Sequence, residues 1–236
     1  MSQLELALEA DVSARHISFL ETGRSRPSQP MILRLAEVLE APLATRNDLL
    51  GAAGFAAAYS AAPLADDALV AVREALTRLM TRHEPYPALL FTRHWDLVDA
   101  NAPGRAMFDG LDGGANAIEL LLTDAALRER VVNLGATLRA MSTRFRAESR
   151  HIGGDPRLDD LAARLAADPT AIAAEDEETI GPRHPFTPIR LRSDLGELAF
   201  LTATAELGTA DSITLRDLHL ELFFPADEAT RAVFEG

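Results

Sequence analysis

Six histidines, at positions 16, 83, 94, 151, 184 and 219, are the side chains best suited to ligating a metal or moving a proton near neutral pH. None stands at metal-ligand spacing from another, and none lies in a catalytic motif. His219 reads as outward-facing beside Glu221 on an expected strand, where a cross-strand pair with Arg190 or Arg192 accounts for it without an active site. The run Glu175-Asp176-Glu177-Glu178 can attract a cation but reads as a solvated loop. Cysteine is absent, which removes thiolate metal sites, cysteine nucleophiles and disulfides. No nucleophile-elbow, dinucleotide-binding or phosphate-loop pattern occurs. The reading is therefore of no catalytic residue, no metal, no cofactor and no enzyme.

The chemistry on offer is recognition. Arg15, His16, Ser18 and Phe19 fall on the exposed side of a short helix, and Arg24 and Arg26 follow it. The arginine, histidine and serine donors among them suit base edges and phosphates. The elements that must hold them are legible nearby. Ser2 and Glu5 have capping-box spacing, so a helix starts almost at once. Leu6, Ala7 and Ala10 recur at helical intervals, and the small Ala7 admits a second helix closely. Asp11 stands at the turn, where left-handed backbone is tolerated. Val12 plugs that turn, Ser13 is a good N-cap, Ile17 and Leu20 face inward, and Gly23 ends the second helix. Two short helices joined by a tight turn make a helix-turn-helix. Further helices follow, from Ser28 to Glu40 and from Leu43 to about Ala53.

Gln3, Ala7, Ala10, Val12, Ser13, Ile17, Ser18, Glu21 and Gly23 match the pattern of the XRE helix-turn-helix family. The segment Ser13–Ser28, with Glu84–Leu97 and Pro185–Thr230, resembles its MmyB-like branch, whose C-terminal half is a PAS-like ligand-binding domain. The resemblance implies that Ser13–Thr22 is the recognition helix, entering the major groove, and that Gln3 contacts phosphate. It implies a double-stranded DNA operator, palindromic and bound by a homodimer. It also implies a small hydrophobic ligand such as a fatty acid. The family's first helix is missing, with Met1 standing at the end of the loop that would follow it. The expectation is that Met1 is an internal methionine or a late start, and that Leu6 and Leu35 are left facing water.

Net charge is −13, the wrong sign for a nonspecific nucleic-acid binder. Residues 1–58 carry five Arg against seven acidic residues, and 59–236 carry 18 against 29. The acid load thus lies behind the head, and a local basic face at Arg15, Arg24 and Arg26 remains open. The longest uncharged run, Gly51–Ala65, is too short to span a bilayer. No signal peptide precedes the first helix, so the expectation is a cytoplasmic protein without a membrane partner.

Beyond a linker and connecting helix (59–83), Ala88–Arg93 and Leu97–Ala100 read as strands around a turn at His94-Trp95-Asp96, and Asp109–Asn116 as a mobile loop. Thr123–Arg150 reads as one long helix, with Leu127, Val131, Leu134, Leu138, Met141 and Phe145 at heptad spacing. Another helix starts at Asp155-Pro156 and closes at Asp168-Pro169, and Ala173–Thr179 is ill-defined. Ile189–Arg192 and Leu198–Thr204 alternate as strands, Gly208–Ser212 is a loop, and a final strand holds Leu218–Phe224 before a short helix. The fold class expected is a mainly α helix-turn-helix domain (1–58) lacking its first helix. Behind it comes an α+β PAS-like domain (84–236) with a five-stranded antiparallel sheet. Phe91, Trp95, Leu97, Phe108, Phe145, Ile189, Leu198 and Phe200 are placed to enclose an apolar cavity between sheet and long helix. The function expected is a sequence-specific DNA-binding transcriptional regulator sensing a hydrophobic ligand. The alternative is an apolar-ligand sensor or partner-binding protein whose helix-turn-helix is vestigial.

Overall fold

The computed structural model describes residues 1–108, 111–177, 188–207 and 211–235, with side chains 175–177 outside that description. His184, Glu178 and parts of the two expected loops, at 109–110 and 208–210, therefore lie outside it. The chain divides into two units: Met1–Ala62 with Thr209–Leu215, and Pro63–Gly208 with Arg216–Gly236.

The first unit is helical. α1 (Gln3–Glu9) opens on the expected capping box: Glu5 N–H donates to Ser2 Oγ, and Ser2 N–H donates to Glu5 Oε2 at 2.6 Å. Asp11 takes φ +53°, and Val12 N–H folds back to Ala7 O at 2.9 Å, which turns the chain tightly. α2 (Ala14–Glu21) is capped by Ser13 and ends at Gly23, φ +69°, a backbone that glycine adopts without penalty. α3 (Gln29–Val38) and α4 (Leu43–Ala52) complete the packing, with Ala7, Ala10, Ile17, Ala36 and Leu50 buried. Leu6 and Leu35 are half-buried rather than left facing water. The exposed leucines of α1 are Leu4 and Leu8, one helical turn apart on its other side.

The second unit is α+β. It begins with α5 (Val70–Arg82). β1 (Ala88–Thr92), β2 (Leu97–Ala100), β3 (Ile189–Ser193), β4 (Gly196–Glu206) and β5 (Leu218–Pro225) form a five-stranded antiparallel sheet of order β2-β1-β5-β4-β3. α6 (Ala102–Met107), α7 (Ala117–Thr123), α8 (Ala125–Arg130), α9 (Leu134–His151), α10 (Pro156–Ala167) and α11 (Pro169–Glu177) come between β2 and β3. α12 (Ile213–Arg216), all but its last residue counted with the first unit, precedes β5 in the chain, and α13 (Glu228–Glu235) follows β5. Leu138 and Phe145 of α9 and Leu158 and Leu165 of α10 pack with Leu89, Phe91, Phe200 and Phe223 of the sheet in one core. α9 and α11 approach so closely at Gly135 that a Cβ there would lie 2.5 Å from Thr170 O, which only glycine permits. No helix among the described residues is long and apolar enough to cross a membrane.

Three expectations are corrected. The helix expected over Thr123–Arg150 is broken at 131–133. Val131 there bridges to Leu191, and Val132 N–H donates to Arg190 O at 2.8 Å, so a sheet edge outcompetes the helix for β-branched residues. The helix begun at Pro156 closes at Asp168-Pro169 as expected, but the stretch from Ala173 expected to be ill-defined is helical as far as Glu177: Pro169 opens α11, because a proline in a first turn gives up no intrahelical bond. His219 faces inward: its β1 partner is Phe91 and its ring packs on Trp95 at 5.0 Å, while Arg190 pairs with Glu197. Arg192 donates instead to Glu129 O.

Candidate recognition helix and ligand cavity

On the head, α2 presents Arg15 to solvent with its guanidinium 5.1 Å from the Phe19 ring centroid, an i,i+4 stack that holds both along the helix. Ser13 is committed to its cap on His16 N–H. His16, Ser18 and Phe19 are half-buried, while Arg24 and Arg26 are exposed just beyond the helix. Gln3 is exposed at the start of α1, and its amide donates to Glu21. A phosphate reaching Gln3 must therefore displace a carboxylate. Arg34 donates to Ala10 O and Arg46 to Ala41 O, so both support the fold and do not extend the basic face.

In the second unit a cavity of about 270 Å³ opens between the sheet and α7–α9. Trp95 supplies one wall, held in the β1–β2 turn at φ +68°, a left-handed backbone costly for so bulky a residue. The turn is over-determined: Trp95 N–H donates to Thr92 O at 2.8 Å, and Ala117 N–H donates to Trp95 O at 2.9 Å. Asn116 holds the same turn by donating to His94 O and Asp96 Oδ1.

Of the eight residues expected to enclose the cavity, Phe91, Trp95, Phe108 and Ile189 line it. Leu97, Phe145, Leu198 and Phe200 do not; they are filled core, and Phe145 and Phe200 have no exposed surface at all. The rest of the wall includes Leu89, Ile118, Leu121, Leu127, Val131, Thr137, Met141 and Phe223. Four of these carried a signal. Leu89 shares a strand face with Phe91, and Met141 sits on the heptad seam, where Leu127 and Val131 also stand. Phe223 was hidden because its alternation partners, His219 and Glu221, read as a solvent face. The wall is exposed at Asp124 and Ala126 and half-buried at Arg130, while Leu89, Phe91, Trp95, Ile118, Leu121, Val131, Thr137 and Phe223 are buried. Arg130 donates to Met107 O at 2.6 Å, and Asp124 caps α8 through Leu127 N–H.

Behind Trp95 a buried carboxylate meets a half-buried guanidinium. Glu221 on β5 is 2% exposed and accepts from Arg144 Nη2 and from Thr204 Oγ1, each at 2.8 Å. The Arg144 guanidinium also lies 5.1 Å from the Trp95 ring centroid. His219 Nε2 is 3.9 Å from Glu221 Oε1, yet burial pushes the imidazole down to about 4, so it is neutral at pH 7. Among the described residues no cluster of His, Cys, Asp and Glu is arranged to hold a metal.

Residues 72–235 match the family model of the MmyB-like transcription regulator ligand binding domain. Residues 1–45 match a helix-turn-helix model. No curated protein matches the chain.

Proposed function

Since the chain belongs to the MmyB-like transcription regulators, with a ligand-binding domain behind a helix-turn-helix head, we propose that it reads a specific DNA sequence and senses a fatty acid or similar amphiphile. The observation that carries the ligand half is the cavity, walled by aliphatic and aromatic side chains from both sheet and helices. The head binds a palindromic operator as a homodimer, and the ligand biases how the two recognition helices are presented.

Each methylene buried in the cavity contributes about 0.8 kcal/mol until the space is full. The melting temperature of the whole chain should therefore rise with saturated fatty-acid length and level off at a definite length. A flat response across lengths, with no acid retained in native mass spectrometry, contradicts the ligand assignment.

For the head, Arg15→Ala should lower discrimination between operator and scrambled duplex by about 1–3 kcal/mol, the usual worth of a bidentate base contact. Gln3→Ala should weaken both duplexes by similar factors. Fluorescence anisotropy on the two duplexes separates these outcomes. Equal losses for Arg15→Ala on both would remove it from base readout. Ligand binding without binding to any duplex would leave an apolar-ligand sensor with a vestigial head.

A further inference from the structure

Buried polar side chains in the second unit are paired almost throughout. Asn101 accepts from Ala88 N–H and donates to Met80 O and Tyr86 O. Ser142 donates to Ala162 O, Ser149 accepts from Asp155 N–H, and Thr230 accepts from Ala199 N–H. Three buried side-chain atoms among the described residues have no hydrogen-bond partner: Thr137 Oγ1, Trp95 Nε1 and His219 Nε2. Thr137 and Trp95 both line the cavity, each only 8% exposed, and the His219 ring packs against Trp95. Two of the three unpaired atoms thus belong to the cavity wall, whose charged side chains, Asp124 and Arg130, stand on the α8 side. An unpaired buried polar group costs folding energy, and a partner arriving with the ligand recovers it.

We propose that the ligand carries uncharged oxygen within its apolar part, hydroxyl or ketone groups on an acyl chain, which pair with the unpartnered Thr137 and Trp95. This rests on the cavity being the ligand site. The indole N–H can only donate, so its partner must be an acceptor, whereas a threonine hydroxyl serves either way. A hydroxyl or keto oxygen meets both requirements. A carboxylate suits these two atoms poorly, because both side chains are only 8% exposed and the other buried side chains of the wall are apolar. The cation of the wall, Arg130, belongs to the more exposed α8 side, where an acid group can keep contact with water.

The test uses the full chain, isothermal titration calorimetry, and dodecanoic acid beside its hydroxy and keto derivatives substituted at successive carbons. At least one derivative should bind about tenfold more tightly than the plain acid, the worth of one well-made buried hydrogen bond. Thr137→Val keeps the shape and removes the hydroxyl. It should abolish that preference, leave plain-acid binding equal or stronger, and raise the melting temperature of the ligand-free protein. A plain acid that binds as tightly as every derivative overturns the proposal and leaves the cavity assignment standing. So does a lower melting temperature in Thr137→Val, which would mean that the hydroxyl already has a partner. If neither plain nor substituted acids bind, the cavity assignment falls and the proposal with it.

Discussion

Arg144→Met should destabilise the second unit by about 1–3 kcal/mol, because it takes the cation from the buried Glu221 carboxylate at a site whose partners reach solvent. Glu221 is 2% exposed, and its partners are Arg144 and the Thr204 hydroxyl. Methionine replaces most of the packing of the arginine stem, so the loss reports the missing charge rather than a cavity. Adding Glu221→Gln should restore most of the stability, since glutamine is neutral and still accepts from Thr204. Urea unfolding of the single and double variants checks this. A double variant no more stable than Arg144→Met would mean that the guanidinium acts through its stacking on Trp95 instead.

His219 should make the fold lose stability as pH falls from about 6.5 to about 4. Burial holds its folded value near 4, against 6.5 in the unfolded chain, so between these values the unfolded chain binds more protons. Stability is then complete above about 6.5 and is surrendered on the way down, to a total of about 3 kcal/mol for this single group. The charges facing the imidazole are Glu221 on its own strand, Arg144 from α9, and Glu206 across the ladder on β4. Asp96 and Asp155 are buried in part, which pushes them up, but their hydrogen bonds win and hold them below the usual carboxylate range. They begin to release stability only near pH 4 and below, outside this window. His219→Phe keeps ring contacts with Phe91 and Trp95 and should flatten the curve between pH 6.5 and 4 in stability measured by urea unfolding. An unchanged slope would show that the imidazole charges without penalty.

The cavity shows why half of a well-chosen residue set can land elsewhere. Phe91, Trp95, Phe108 and Ile189 line it, while Leu97, Phe145, Leu198 and Phe200 fill the core around it. All eight have the same chemistry and a plausible face. Whether an aromatic ring ends against a void or another ring depends on how far α8 and α9 stand from the sheet. That distance follows from the break at Val131, where the chain bonds to β3 instead of continuing its helix.

What could be read from the chain alone was local. The capping box at Ser2, the left-handed turn at Asp11, the Ser13 cap and the Gly23 stop each rest on forces spanning a few residues, and all appear in the structure. Strand periodicity likewise announced an antiparallel sheet, because alternation is set by the pleat. The direction in which β5 faces its neighbours was not local. His219 and Glu221 look like a solvent face until Arg144, 77 residues before Glu221, arrives to neutralise it. A buried polar pair is stable only once both members have met, so its burial belongs to the tertiary structure. The same holds for the cavity and its unpaired Thr137 hydroxyl. A void is the difference between packed surfaces brought together from distant parts of the chain, and no single segment contains it.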